Sequence, residues 1–184
     1  MTRGMMTSSF VVSMAVLGIV MLRADQPLVL VGTIPLPNVE GRIDHLAVDA
    51  AAQRLYVAAL GNNTVEVLDL AGGRHLKSVS GFSEPQGIAL LAEPLRVVVA
   101  NGQGTGAEFR AVDDLHVVRS VVLGDDADNV RVDGPAKRVY VGYGGGAIAA
   151  IDATNGRKVG DVPVGGHPES FQLEASGARL FVNV

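Results

Sequence analysis

The sequence contains no cysteine and no tryptophan. The missing cysteine excludes disulfides, thiolate zinc centres, covalent c-type haem attachment and an N-terminal lipoprotein anchor. Aromatic residues make up only 4% of the 184 positions, so any core must be assembled from Val, Leu, Ile and Ala. Lysines and arginines form no cluster and the formal charge is −4, so the positive surface that nucleic-acid binding needs is missing. The longest apolar run, Phe10 to Leu22, is too short to span a bilayer comfortably. What remains is 48% hydrophobic content with 23 glycines. That is enough for a packed core interrupted by many tight turns, and the composition leans towards β structure.

The first residues follow the plan of a secretory signal peptide: Arg3, the uncharged run Phe10 to Leu22, then Arg23-Ala24-Asp25. Residues 1–24 are expected to be removed and the remainder exported to the periplasm or beyond, with no membrane attachment afterwards. Leu22 stands where cleavage prefers a smaller residue, so an uncleaved anchor or a buried helix is the competing account.

A repeat organises the rest. Arg54-Leu55-Tyr56-Val57, Arg96-Val97-Val98-Val99, Arg138-Val139-Tyr140-Val141 and Arg179-Leu180-Phe181-Val182 place their arginines 42, 42 and 41 residues apart. Around each tetrapeptide the pattern is an alternating segment, a turn, the tetrapeptide strand, a Gly/Asn turn, a second alternating strand, another turn and a last strand. In the first copy the strands are His45 to Asp49, Arg54 to Leu60, Thr64 to Leu70 and His75 to Ser80, separated by Gly61-Asn62-Asn63 and Ala71-Gly72-Gly73. Asn and Gly tolerate the positive φ that tight hairpins demand.

Four antiparallel strands every forty-odd residues predict an all-β fold, a β-propeller of four-stranded blades. Solenoid coils have shorter repeats, and a unit this small without metal or disulfide does not fold alone. The blades are expected at 44–81, 84–124 and 126–166, with an incomplete one at 167–184. Gly32-Thr33-Ile34-Pro35-Leu36 matches Gly160-Asp161-Val162-Pro163-Val164, the last strand of the third copy, so residues 28–36 are expected to be an orphan closing strand. About three and a half blades fall short of the roughly seven of a ring of this type. A fragment of a longer protein is therefore the expected state. Two copies closing one ring, or self-association through open blade edges, are the alternatives.

The Arg-Val-Tyr-Val strand with its Asn- or Gly-rich turns resembles the YVTN family of bacterial β-propeller repeats, its YncE-like exported members in particular, over residues 28 to 184. Where that signature ends in Thr-Asn, this chain has Ala58-Ala59, Ala100-Asn101, Gly142-Tyr143 and Asn183-Val184. The resemblance implies an exported propeller and is weak for activity. No Trp-Asp pair supports the WD-repeat alternative.

Ten residues before each repeated arginine stand Asp44, Gln86, Asp128 and Glu169, expected to ring the mouth of the central channel. One residue on are His45, Gly87, Asn129 and Ser170, and two before the ring are Arg42, Glu84, Asp126 and His167. The middle-strand loops add Asn62, Asn63, Gln103 and Tyr143. The candidate ligand-binding set is Asp44, His45, Gln86, Asp128, Asn129, His167 and Glu169. Its carboxylates suit a hard cation such as calcium or a cationic small ligand, and its histidines suit a metal, haem or general-base role. Turn capping explains the Asp and Asn positions without any ligand, and it is the plainer account. No cofactor or metal is assigned on this basis.

His167-Pro168-Glu169-Ser170 lacks the strand-turn-helix elbow of a serine nucleophile, and Gly102-Gln103-Gly104-Thr105-Gly106 has no following helix to hold phosphate. The repeated arginines are expected to make structural contacts. Two functions stay open. One is a binding module presenting its mouth loops to a protein or small ligand. The other is a lactonase-like or quinoprotein-oxidoreductase-like propeller enzyme.

Overall fold

The computed structural model describes residues 28–104, 106–176 and 178–184. The chain divides into two units, Met1–Val31 and Gly32–Val184. In the first, Leu28 to Val31 are exposed and form no strand, and the expected signal segment lies outside the described residues.

The second unit is a series of antiparallel sheets. Blade one comprises β1 (Leu46–Asp49), β2 (Arg54–Ala59), β3 (Thr64–Asp69) and β4 (Arg74–Val79). Blade two comprises β5 (Pro85–Ala92), β6 (Leu95–Asn101), β7 (Gly106–Arg110) and β8 (Val117–Val122). Blade three comprises β9 (Val130–Asp133), β10 (Arg138–Tyr143), β11 (Ala147–Asp152) and β12 (Lys158–Pro163). A two-stranded sheet of β13 (Ser170–Leu173) and β14 (Leu180–Asn183) follows. In every sheet the strands lie in chain order. In blade one each strand boundary falls within a residue of the position read from the tetrapeptide spacing.

Aspartates close the hairpins. Asp49 and Asp133 accept from the amides of Ala52 and Ala136 at 2.9 and 3.0 Å, which turns the chain from the first strand into the second. Asp69 and Asp152 do the same after the third strand, accepting from Gly72 at 2.9 Å and Thr154 at 2.8 Å. Their carboxyls lie below the usual carboxylate range, chiefly because backbone amides donate to the ionised form. In all three complete blades the ladder between the third and fourth strands slips at a bulge, which increases the twist of the outer edge.

The tetrapeptide strands are continuous runs of β-formers because both of their faces are covered. Val97 and Val99 of β6 join Tyr56, Val65, Val67 and Ile88 in the core between blades one and two. Val98 and Ala100 face the other way, onto Val139, Val141, Ala149 and Ile151 of blade three. Burying such side chains contributes about 1.5–3 kcal/mol each. The repeated arginines make local contacts, as expected: Arg138 pairs with Asp152 at 3.6 Å, Arg179 with Glu174, and Arg96 donates to the Leu95 carbonyl at 2.6 Å.

The first strands of successive blades are neighbours, β1 beside β5, β5 beside β9 and β9 beside β13, so they form the inner rim. Residues 32–36 form no ladder. At the ends of the series, Leu46 and Val48 of β1 and Phe181 of β14 are more than half exposed.

Candidate functional site at the inner rim

The rim residues are fixed by backbone pairing that runs past the strand ends. The Asp44 amide donates to the Ala58 carbonyl at 2.9 Å, and the Ala58 amide donates to His45 at 3.0 Å. In blade three, Asp128 donates to Gly142 at 2.9 Å and Gly142 to Asn129 at 3.0 Å. The same two positions of blades one and three are thereby presented in the same way, whereas in blade two the register shifts between Pro85 and Ile88. The His45 amide also donates across to the Gln86 carbonyl at 3.3 Å, joining blade one to blade two.

Side chains from blades one and three meet there. His45 Nδ1 lies 2.8 Å from Asp44 Oδ1 and 3.9 Å from Asp128 Oδ1. Asp44 and Asp128 are only 12% and 13% exposed and His45 is 31% exposed, so the two carboxylates are largely withdrawn from solvent. Arg42 Nη2 donates to the other Asp44 oxygen at 2.5 Å. Burial raises the Asp128 carboxyl above the ordinary aspartate value. His45 opposes that rise, and the Asp44 charge adds to it.

Gly87 makes the meeting possible. A Cβ built there would overlap the Asp128 carbonyl oxygen and lie 2.8 Å from its carbon and 3.0 Å from Val130 Cγ2. The equivalent position carries His45, Asn129 or Ser170 in the other blades. The gap in blade two lets blade three close against it.

The other expected rim residues are placed differently. Gln86 is buried, with Nε2 directed to Asp126 Oδ1 at 3.4 Å. Asn129 is buried and donates from Nδ2 to the Glu169 carbonyl at 2.6 Å, tying blade three to β13, while the Glu169 side chain is exposed. His167 Nδ1 bonds to the Gly144 carbonyl at 2.9 Å and lies 3.3 Å from Asp126 Oδ2. The structure thus gathers Asp44, His45 and Asp128 into one cluster and uses the rest to fasten neighbouring loops.

The middle-strand loops are fasteners as well. Asn63 Oδ1 accepts from the Glu84 amide at 2.7 Å, and Asn62 bonds to both the Glu40 amide and the Asn38 carbonyl. Gln103 donates to Glu84 at 2.7 Å and Tyr143 to Asp161 at 2.9 Å.

Away from the rim, Glu66 on β3 is completely buried. It bonds to His75 Nε2 at 2.7 Å, to Thr64 Oγ1 at 2.5 Å and to Ser78 Oγ. Here the acid stands between the histidine and the serine, so the serine has no base and the group is a structural network. Alternation along Thr64–Asp69 did not single Glu66 out; the usable signal was His75 and Ser78 on the strand that follows.

The fold defines a β-propeller module. No family model matches the chain and no curated protein matches it. Among solved structures it is similar to Kuenenia stuttgartiensis hydrazine synthase, a propeller protein, with a TM-score of 0.68 and 17% sequence identity over 75% of this chain. The chain spans 40% of the length of that structure. A likeness at this identity concerns the fold alone.

Proposed function

We propose that the chain is part of an exported β-propeller binding module of the YVTN-repeat, YncE-like type, whose inner rim receives a positively charged small ligand or the cationic group of a protein partner. The observation that carries this reading is the Asp44, His45 and Asp128 cluster: two carboxylates withdrawn from water, with His45 no nearer than 3.9 Å to Asp128. Arg42 already pairs with Asp44, but Asp128 has no positive group within hydrogen-bond reach, and a cation entering beside it gains the interaction that solvent does not provide. Export is supported by Arg3, the apolar run to Leu22 and Ala24, and family kinship by the spaced tetrapeptides. The lactonase-like or quinoprotein-like alternative draws on the same residues, yet of its two histidines only His45 joins the carboxylates.

A thermal-shift panel of small amines, guanidines and cationic peptides tests the reading. A ligand present at 100 times its Kd stabilises by about 2.7 kcal/mol. At least one panel member is expected to raise the Tm of the wild-type chain and to lose that effect in the Asp44→Asn/Asp128→Asn double variant. Stabilisation that survives in the double variant, or none across the panel, refutes it.

A further inference from the structure

We propose that Asp44, His45 and Asp128 bind one divalent transition-metal ion of the zinc class, bridging blades one and three. This deepens the binding reading of the rim by naming the cation. One donor atom from each residue can be chosen so that all three lie within 4.8 Å of one another. Zinc–ligand bonds of about 2.0–2.2 Å in a tetrahedron put donor atoms about 3.4 Å apart. The observed separations of 2.8 and 3.9 Å about His45 Nδ1 lie on either side of that value.

Unmet polar atoms point to the same place independently. Among the described residues, the buried side-chain atoms without a hydrogen-bond partner are His45 Nδ1, Asp128 Oδ1 and Asn129 Oδ1. All belong to the rim, and the first two are the proposed donors. Buried polar atoms in folded proteins are almost always satisfied, so a pair left facing one another implies a third party. A proton on His45 does not supply it: Asp44 Oδ1 is close at 2.8 Å but not aligned for a hydrogen bond with Nδ1, and Asp128 at 3.9 Å is out of hydrogen-bond reach. A metal ion held by Asp44, His45 and Asp128 satisfies both His45 Nδ1 and Asp128 Oδ1.

The donor set selects the class of ion. Calcium asks for about six to eight oxygens. Here there are two carboxylates, with Asp44 Oδ2 already held by Arg42. An imidazole nitrogen with two carboxylate oxygens suits zinc, and three protein ligands leave a fourth position open.

The full chain, stripped with a chelator and dialysed against micromolar Zn²⁺, tests the proposal by elemental analysis and zinc-edge X-ray absorption. One zinc per chain is expected, with one nitrogen and two carboxylate oxygens from the protein. Asp128→Asn and His45→Ala are each expected to weaken binding by more than about tenfold with circular dichroism unchanged. His116→Ala, which alters a histidine paired only with Asp114 at the surface, is expected to leave binding intact. Binding that persists in His45→Ala, loss in His116→Ala, or occupancy by Ca²⁺ but not Zn²⁺ overturns the proposal. An organic cation bound through Asp44 and Asp128 by a chain that ignores zinc would sink the metal site and leave the binding module standing.

Discussion

Gly87→Ala adds one methyl group at the tightest junction of the rim. The added carbon would stand 1.7 Å from the Asp128 carbonyl oxygen, 2.8 Å from its carbon and 3.0 Å from Val130 Cγ2. Even a tight carbon–oxygen contact needs about 3.0 Å, so blade three must retreat by about 1.3 Å or more. A gap of about 0.5–1 Å forfeits a quarter to a half of each dispersion contact it opens. The core behind it, with Val98, Val139 and Val141, is close-packed, so relief by local repacking is limited. The cost should fall at the upper end of the overpacking range, about 2–3 kcal/mol. For an unfolding slope of about 2–3 kcal/mol per molar urea, the midpoint then falls by about 1 M. Gly160→Ala is the matched control: it lies on β12 with nothing within 4 Å of the added carbon, and neither glycine has a positive φ. The control should be neutral or stabilised by up to about 1 kcal/mol through the unfolded chain. Equal midpoints for the two variants would refute the steric account of the junction.

Two further outcomes follow from the polar contacts. Glu66→Ala removes the acceptor shared by Thr64, His75 and Ser78 from a fully buried position and should cost about 3–5 kcal/mol. Urea titration checks it, and a loss below about 1 kcal/mol would mean that the donors find other partners. His167 has its pKa raised above 6.5, first by the hydrogen bond to the Gly144 carbonyl and further by the charges of Asp126, Glu169 and Asp128, with burial opposing. A raised folded-state value gives stability that is complete below the unfolded pKa and is lost as pH rises through the folded one. Between pH 5.5 and 8.5, the wild type should therefore lose more Tm than His167→Gln; parallel curves would show that the contact is indifferent to charge.

The blades were legible because one physical constraint recurs. A strand covered on both faces must be apolar throughout, and its hairpins need Asp, Asn or Gly, so Arg54–Ala59, Leu95–Asn101 and Arg138–Tyr143 declare themselves by composition and spacing. Asp44 and Asp128 could be put on one rim by counting back from the arginines. Their meeting with His45 could not, because it depends on how far consecutive blades rotate and on the empty position at Gly87. Asn62, Asn63, Gln103 and Asn129 carry the donors and acceptors of a binding site. They bond instead to backbone and side chains of adjoining loops, a choice set by tertiary distances. Glu66 was hidden by alternation itself, which assigns a charged residue between two valines to a solvent face, whereas Glu66 is fully buried and bonded to His75 and Ser78 of β4.

Tandem blades that touch only their neighbours tend to unfold one at a time, since each junction has its own stability. The approach of His45 to Asp128 departs from nearest-neighbour order, because the two belong to blades that have another between them. Anything bound by both is lost when any of the three blades opens. Occupancy therefore adds its binding free energy to all three together, drawing separate local openings into a single transition whose midpoint rises with ligand concentration.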